Sequence, residues 1–411
     1  MKTDTFKIKR TLFKQYAKLA KPVFKFLPIP IAQQLSGDHC MSEMVTVLQK
    51  KKVNRPVIIT GKNFSKRPEF DLLTDALEDA NVDYYLFNGV TPDPTFNVVE
   101  EGIAACMSHR FDSVITIGGG SSMDAAKVIN TCAQNGYNPR KTTGMFKIRK
   151  KGAFFVAIPT TAGTGSEATI ASIISEDDTH QKKQVISTAL IPDLVVLDPR
   201  LMLGIPSTLT AATGMDALTH AIEAYLSGFA TPESEQRSID ATKLIFEFLP
   251  HAVGDGASDL VVRQKMAEAS HLAGLAITRA SVGWVHALAH QLGAFYGIPH
   301  GLACAIGLPP VLTMYAEKAP EKMSKMADQL GIAGATEWDK AYGLRDAVVN
   351  LCQQIGTVPE PEMIQVEDIP EMSEGLLREC YMSPFAVPAY FDSEGELHTF
   401  IREIFMAPSE D

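Results

Sequence analysis

Four short apolar runs, each ending where polar or loop-forming residues begin, constrain this chain most. They are Pro56-Val-Ile-Ile-Thr60-Gly61, Ser113-Val-Ile-Thr-Ile117, Phe154-Phe-Val-Ala-Ile158 and Leu194-Val-Val-Leu197. A strand that is apolar on both faces must be covered on both faces, which is the mark of a parallel sheet sandwiched by helices. Tyr84-Tyr-Leu-Phe87 reads as a further strand. Between these runs apolar residues recur at helical spacing. Met44 to Lys52 and Phe70 to Ala80 read as helices, Thr95 caps a third running to about His109, and a fourth follows the glycines at 118–120 through about Thr131. Strands alternating with helices predict an α/β N-terminal domain, a Rossmann-like open parallel sheet.

Beyond Pro206 the pattern changes. Long Ala-, Leu- and Met-rich segments with helical periodicity follow, at about 208–229, 233–251, 259–279, 281–296, 301–315, 319–330 and 338–355, with no convincing strand. An all-α C-terminal domain is expected. The expected divisions are a basic N-terminal extension at 1–35, an α/β nucleotide-binding domain at 36–204 and an all-helical metal-binding domain at 205–411. Pro28-Ile-Pro-Ile and a Ser36-Gly37 turn close the extension. Residues from Glu367 onward hold Pro370, Pro384 and Pro388 and a last helix near 395–405, with no assigned chemistry.

At 411 residues the chain can build substantial cores, and a formal charge of −10 argues against nucleic acid as a partner. Six cysteines without a CxxC spacing read as reduced thiols of a cytoplasmic protein. No apolar run reaches the roughly 18 residues of a transmembrane helix. Residues 1–25 depart from the average, with eight Lys/Arg and one acidic residue interleaved with Phe6, Leu12, Phe13, Tyr16 and Leu19. This is a basic amphipathic helix. It packs on the protein or on a partner subunit, or it makes a weak peripheral contact with a membrane surface.

Two loops follow strands. Gly118-Gly119-Gly120-Ser121-Ser122 lets the backbone approach a pyrophosphate at a helix N-terminus, where N–H groups and the dipole favour anions. Three glycines alone fit a turn equally well. A second hydroxyl-rich loop, Thr160 to Thr169, also follows a strand, and paired loops at strand carboxyl ends are where open α/β sheets bind nucleotides.

Asp216-Ala-Leu-Thr-His220 and His286-Ala-Leu-Ala-His290 are i,i+4 pairs on apolar, helix-like sequence, so each pair shares a face. His300 follows a Gly-Ile-Pro break, where a new element begins. Burying a carboxylate beside an imidazole is costly unless something compensates, and a metal ion does. Asp216, His220, His286 and His300 would offer one oxygen and three nitrogens, a set suited to Fe2+, with Zn2+ the alternative. The other reading of a histidine is a hydrogen-bonded core residue, and His109, His180, His251, His271 and His398 are expected to be that. Trp284, Phe295 and Tyr296 read as pocket wall or as core.

Gly118-Gly-Gly-Ser-x-x-Asp124-x-x-Lys127, Pro159-Thr-Thr-Ala-Gly-Thr-Gly-Ser-Glu167, Gly214-x-Asp216-Ala-Leu-x-His220-Ala-x-Glu223 and His286-Ala-x-Ala-His290-x-Leu-Gly-x-x-Tyr296-x-x-Pro-His300-Gly301 together resemble the iron-containing (group III) alcohol dehydrogenases. The order and spacing match that family from about residue 50 to 360. The resemblance implies a dehydroquinate synthase-like architecture. It implies a metal-dependent alcohol dehydrogenase or aldehyde reductase that transfers hydride between a small alcohol and NAD(P), as a homodimer or larger assembly. The alternatives on this fold are a hydroxyacid-oxoacid transhydrogenase-like enzyme and a non-redox synthase. The resemblance implies that Asp216, His220, His286 and His300 are the metal ligands and that His290 lies beside the nicotinamide as a proton relay. It gives the pyrophosphate to Gly118, Gly119, Gly120 and Ser121, with Asp124 in the same motif. Thr160, Thr161, Thr164, Thr169 and Lys182 line the cofactor, and Asp93 occupies the cofactor loop at Pro92–Pro94. One position departs from the pattern. Where NAD-using relatives carry Asp after the first strand, this chain has Gly61, with Lys62, Lys66 and Arg67 close by. Loss of that carboxylate suggests NADP(H) preference or dual use, the other reading of the three cations being a solvated surface.

Overall fold

A computed structural model describes residues 5–179, 181–357, 364–382 and 386–405. The chain forms two compact units. One is built from residues 28–206 and 255–274, the other from 1–27, 207–254 and 275–411. In chain order the elements begin with α1 (Thr5–Phe26), β1 (Gln33–Ser36), α2 (Cys40–Lys50), β2 (Pro56–Gly61), α3 (Pro68–Asp79), β3 (Tyr85–Val90), α4 (Phe96–Ser108), β4 (Ser113–Gly118) and α5 (Gly120–Asn135). Then come β5 (Gly144–Met145), β6 (Phe154–Pro159), β7 (Ala171–Ser175), β8 (Lys182–Ile186) and β9 (Leu194–Leu197). Nine helices end the described chain: α6 (Ser207–Leu226), α7 (Pro232–Val253), α8 (Leu260–Ala280), α9 (Trp284–Tyr296), α10 (His300–Lys318), α11 (Pro320–Gln329), α12 (Glu337–Gln354), α13 (Ile369–Met382) and α14 (Glu394–Phe405).

The first unit is a six-stranded sheet in the order β1-β9-β6-β4-β2-β3, parallel at every pair. Its strands alternate faces, as pleating requires. Val57, Ile59, Val114 and Phe155 pack with Val99 of α4 and Ala125, Val128 and Ile129 of α5. Ile58, Ile115, Val156 and Val196 pack on the other face with Met44 and Leu48 of α2 and Leu73 and Leu77 of α3. Apolar strands covered twice are what the sequence demanded. Thr95 does occupy the N-cap of α4, but its side chain makes no capping bond there, and Asp177 Oδ1 accepts from Asn97 N at 3.0 Å instead.

Residues 255–274, expected in the helical domain, cluster with the first unit, and 1–27 cluster with the helical one. Two further features differ from expectation. Gln33–Ser36, expected to be a linker ending in a turn, is the polar edge strand β1, paired with β9 from Gln33↔Leu194 to Ser36↔Leu197. Its side chains are largely exposed, so no apolar signal marks it. A second sheet, β5-β8-β7, pairs β7 and β8 antiparallel across the stretch between the second loop and β9.

The other unit is helical, as expected. Of α1, Phe6 and Phe13 are buried and Phe24 stacks on Phe229 at 4.9 Å, while Arg279 Nη1 donates to Phe24 O at 2.9 Å. The extension thus packs on its own chain. It leaves Ile8, Leu12, Leu19 and Phe26 exposed on another side. Among the described residues no single helix is long and apolar enough to cross a membrane.

Candidate active site

Three helices of the helical unit carry the predicted cage. From Gly214 to Leu226 every residue of α6 is buried, Asp216 and His220 included. α9 ends at Gly297, whose φ of 65° lies in the left-handed region that glycine adopts without strain. Ile298 and Pro299 then turn the chain so that His300 is the first residue of α10. A Cβ on Gly301 would lie 2.3 Å from Ala212 O, so α10 starts hard against α6.

The four residues converge. Asp216 Oδ1 lies 3.7 Å from His220 Nε2, 3.7 Å from His286 Nε2 and 3.6 Å from His300 Nε2. These separations are too long for hydrogen bonds. They come close to the roughly 3.3–3.6 Å edges of a tetrahedron of donors about 2.0–2.2 Å from a central ion. His286 Nε2 is buried and has no hydrogen-bond partner among the described residues. The residues present therefore fit a divalent cation.

Protein carboxylates hold the imidazoles from behind. Glu223, one turn beyond His220, accepts from Gly283 N at 2.8 Å and Val285 N at 2.7 Å, and its Oε2 lies 2.6 Å from His286 Nδ1. That bond leaves Nε2 as the lone-pair nitrogen aimed at Asp216. His290 Nδ1 meets Glu379 Oε2 of α13 at 2.6 Å, and Gln291 Nε2 donates to Glu379 Oε1 at 3.0 Å. The His290 ring is stacked on that of His300, with centroids 5.5 Å apart. His290 thus turns its Nδ1 away from the cage and keeps its other nitrogen.

Three residues with a place here had no role in the sequence reading: Glu223, Glu379 and Cys304. Glu223 shares the i,i+3 face of His220, and Cys304 the i,i+4 face of His300, so spacing could have found both. Glu379 lies 89 positions from His290, and nothing local announces it.

Charge in the cage follows from burial and proximity. Burial opposes ionisation of Asp216, but the imidazoles of His220, His286 and His300 hold it well below the usual carboxylate range. Burial, reinforced by neighbouring imidazoles, pushes His300 down to about 3 against the pull of Asp216. Burial works against charge on His286 too, yet the nearby carboxylates of Asp216 and Glu223 raise it to about 9. An ionised carboxylate and a neutral imidazole are the forms that bind a cation, and a cation at His286 Nε2 displaces the proton there.

The α/β unit brings the two loops together at the carboxyl ends of neighbouring strands β4 and β6. Thr160 N donates to Gly118 O at 3.0 Å. A Cβ on Gly119 would meet Thr161 Oγ1 at 3.6 Å, and one on Gly120 would meet Thr164 Cγ2 at 2.9 Å. Ser121 lies in the first turn of α5. Asp124 and Thr169 spend their side chains on protein. Asp124 accepts from Ser166 Oγ at 2.6 Å and Ile173 N at 2.9 Å. Thr169 Oγ1 accepts from Lys127 Nζ at 2.9 Å. Lys127, fully buried and pushed down to about 8 by that burial, also donates to Ser166 Oγ at 3.0 Å and Ala171 O at 2.6 Å. Together these bonds tie α5 to the second loop. Asp93 and Lys182 both meet Ser175. Asp93 accepts from Ser175 Oγ at 2.8 Å, and Lys182 pairs with Ser175 in the β7–β8 ladder. Gly61 ends β2, the neighbour of β4. Lys62 and Lys66 are exposed, while Arg67 Nη2 already donates to Glu69 Oε1 at 3.4 Å and Gly204 O at 3.3 Å.

The histidines expected in the core divide. His271 is buried with Nδ1 3.1 Å from Glu167 Oε1. His109 and His251 are exposed, because each sits at a helix end, and His109 stacks on Tyr85 at the surface. His398 is half-buried, and His180 lies outside the described residues, as does Pro384. Trp284 is core: it is 1% exposed and donates to Ala389 O at 2.9 Å. Tyr296 is half-buried and donates to Asp368 Oδ2 at 2.6 Å.

A parallel α/β unit with adjoining glycine and threonine loops, joined in one chain to a helical unit with a buried carboxylate-imidazole cage, is the dehydroquinate synthase-like class of metal- and nucleotide-dependent enzyme. Comparison with known proteins narrows it. Residues 32–199 match the family "Iron-containing alcohol dehydrogenase" and residues 210–381 the C-terminal region of the Fe-containing alcohol dehydrogenase family. The chain belongs to the iron-containing alcohol dehydrogenases. It is 36% identical to a 1,3-propanediol dehydrogenase of Klebsiella pneumoniae over 382 residues, 92% of this chain and 96% of that one. It is 36% identical to an NAD-dependent methanol dehydrogenase of Bacillus methanolicus over 295 residues, 72% of this chain and 77% of that one. The solved alcohol dehydrogenase of Oenococcus oeni superposes with a TM-score of 0.86 at 32% identity, covering 92% of this chain and all of that one.

Proposed function

We propose that this protein oxidises small alcohols and, in reverse, reduces aldehydes with a nicotinamide dinucleotide. The observation that carries the reading is the convergence of three imidazole nitrogens, 3.6–3.7 Å away, on one buried carboxylate oxygen. A divalent ion held by Asp216, His220, His286 and His300 supplies Lewis-acid polarisation of the substrate oxygen, and a bound nicotinamide supplies the hydride acceptor.

The chain's own residues do the rest. Asp216 brings a negative charge to the cage, and Glu223 holds His286 in the tautomer that presents Nε2. Glu379 holds His290 by Nδ1, leaving its Nε2 to take the alcohol proton or to return it to an aldehyde oxygen. Gly118, Gly119, Gly120 and Ser121 receive the pyrophosphate at the start of α5. Thr160, Thr161 and Thr164 line the same loop surface, while Asp124 and Thr169, through Lys127, set its shape. Asp93 and Lys182 take the cofactor contacts near Ser175.

Finer choices belong to the same reading. Iron is the favoured ion, with zinc the competitor. NADP(H) is preferred or used alongside NAD(H), because Gly61 offers no carboxylate to repel a 2′-phosphate and Lys62 and Lys66 are exposed beside it. The protein works in the cytoplasm as a homodimer or larger assembly, to which the exposed apolar residues of α1 could contribute. The transhydrogenase and synthase alternatives are not favoured by the names of the relatives. A panel of primary alcohols, diols and aldehydes, assayed with both cofactors on iron- and zinc-loaded protein, tests all of this. Reduced-cofactor absorbance should rise with alcohols. No turnover on any substrate with either ion would end the proposal, and a strong NAD preference would end the NADP part alone.

A further inference from the structure

We propose that Cys304 is a sulfur donor to the metal centre of this chain, which makes zinc a stronger competitor to iron than oxygen and imidazole donors alone would. The proposal rests on the metal reading above and adds a fifth donor to it. Cys304 lies one helical turn beyond His300 on α10 and is completely buried. Its Sγ is 3.7 Å from Asp216 Oδ1 and 3.8 Å from His300 Nε2. That is the spacing at which the three imidazoles surround the same carboxylate oxygen. One donor atom each from Asp216, His286, His300 and Cys304 lies within 4.8 Å of every other, a set in which Cys304 stands and His220 does not. A thiol donating to a carboxylate would account for the approach to Asp216 alone. The i,i+4 spacing on α10 brings it near His300, but neither contact accounts for the buried His286 Nε2, which no described residue pairs in the same cluster.

The chemistry follows from the donor set. Oxygen and imidazole donors accept iron and zinc alike, whereas a thiolate added to them favours the softer zinc. Coordination by sulfur forms one metal–sulfur bond and releases the thiol proton to solvent, so no oxidant or reductant is involved. A fifth donor also competes for the position that an open catalytic site keeps for substrate. Removing it should therefore loosen zinc without emptying the site.

The test uses the full-length protein loaded separately with zinc, iron and cobalt, with X-ray absorption at each metal edge. The zinc form should show a sulfur neighbour at about 2.3 Å, and the cobalt form a sulfur-to-metal charge-transfer band in the near ultraviolet. Both should vanish in Cys304→Ser. In that variant zinc affinity by chelator competition should fall roughly 10-fold or more, with iron affinity changed less. A metal-loaded wild type with only nitrogen and oxygen neighbours overturns the Cys304 assignment and leaves the metal centre standing. A wild type that binds none of the three ions overturns both. The wild-type spectra decide even where the variant fails to fold.

Discussion

Replacing Glu223 by Gln is the most demanding test of the cage, because the two side chains have the same shape and differ only in what they accept. Glu223 takes three donors at 2.6–2.8 Å, from Gly283 N, Val285 N and His286 Nδ1. An amide has one acceptor oxygen. Placed at Oε2 it keeps the bonds from Gly283 and His286 without their charge assistance, worth about 1 kcal/mol each. Its NH2 then faces Val285 N–H, leaving a buried donor unpaired at a cost of roughly 1–3 kcal/mol. The sum is a loss of about 3–5 kcal/mol in the metal-free protein. The neighbouring Trp284 makes this visible, since it is buried between the two amides concerned, and its fluorescence during urea unfolding reports the transition. His286 also loses the carboxylate that orients it, so metal affinity should fall roughly 10- to 100-fold. A stability loss under about 1 kcal/mol, together with metal affinity within about threefold of wild type, would refute the claim that Glu223 holds His286 for an ion.

Other outcomes follow from the same geometry. Replacing His286 by Ala should abolish both metal content and turnover, and normal turnover would remove the site. His290→Ala should lower kcat roughly 100-fold with metal content unchanged, and loss of the metal would make His290 a ligand instead. Gly165→Ala should raise the Kd for NAD(P) without altering metal content. At its φ of 56° a Cβ would lie 2.7 Å from Gly274 Cα, so the second loop must shift; unchanged cofactor binding would free that loop of its role. The Lys127 ammonium falls from its ordinary 10.5 to about 8, so between those values the unfolded chain binds more protons and stability rises with pH. The penalty is fully present below pH 8 and amounts to about 3 kcal/mol. Urea midpoints measured from pH 7.5 to 10 should rise more steeply for wild type than for Lys127→Met, and equal slopes would contradict it.

Much of this protein was legible before any coordinates. Ile58 and Ile59 point to opposite faces of β2, and a run apolar at both positions could only be a strand covered twice, so Val57 to Ile59 implied the parallel sheet and its helices. The i,i+4 spacings of Asp216 and His220, and of His286 and His290, placed each pair on one helix face, because helical periodicity is local. The polar edge strand β1 and the β7–β8 ladder were not legible, since their pairing is set by a distant partner and not by their own apolar pattern. Nor could spacing separate His290 from His286. The fold does that, by setting Glu379 behind one imidazole and Glu223 behind the other. Asp124 and Thr169 look like ligand-facing polar residues in the sequence, yet Lys127 and Ser166 engage them within the protein. Sequence by itself determined which elements form and which residue types are available, because those depend on neighbours along the chain. Tertiary structure alone decided which nitrogen, oxygen and sulfur atoms converge on one point, because α6, α9 and α10 meet only when their buried faces pack.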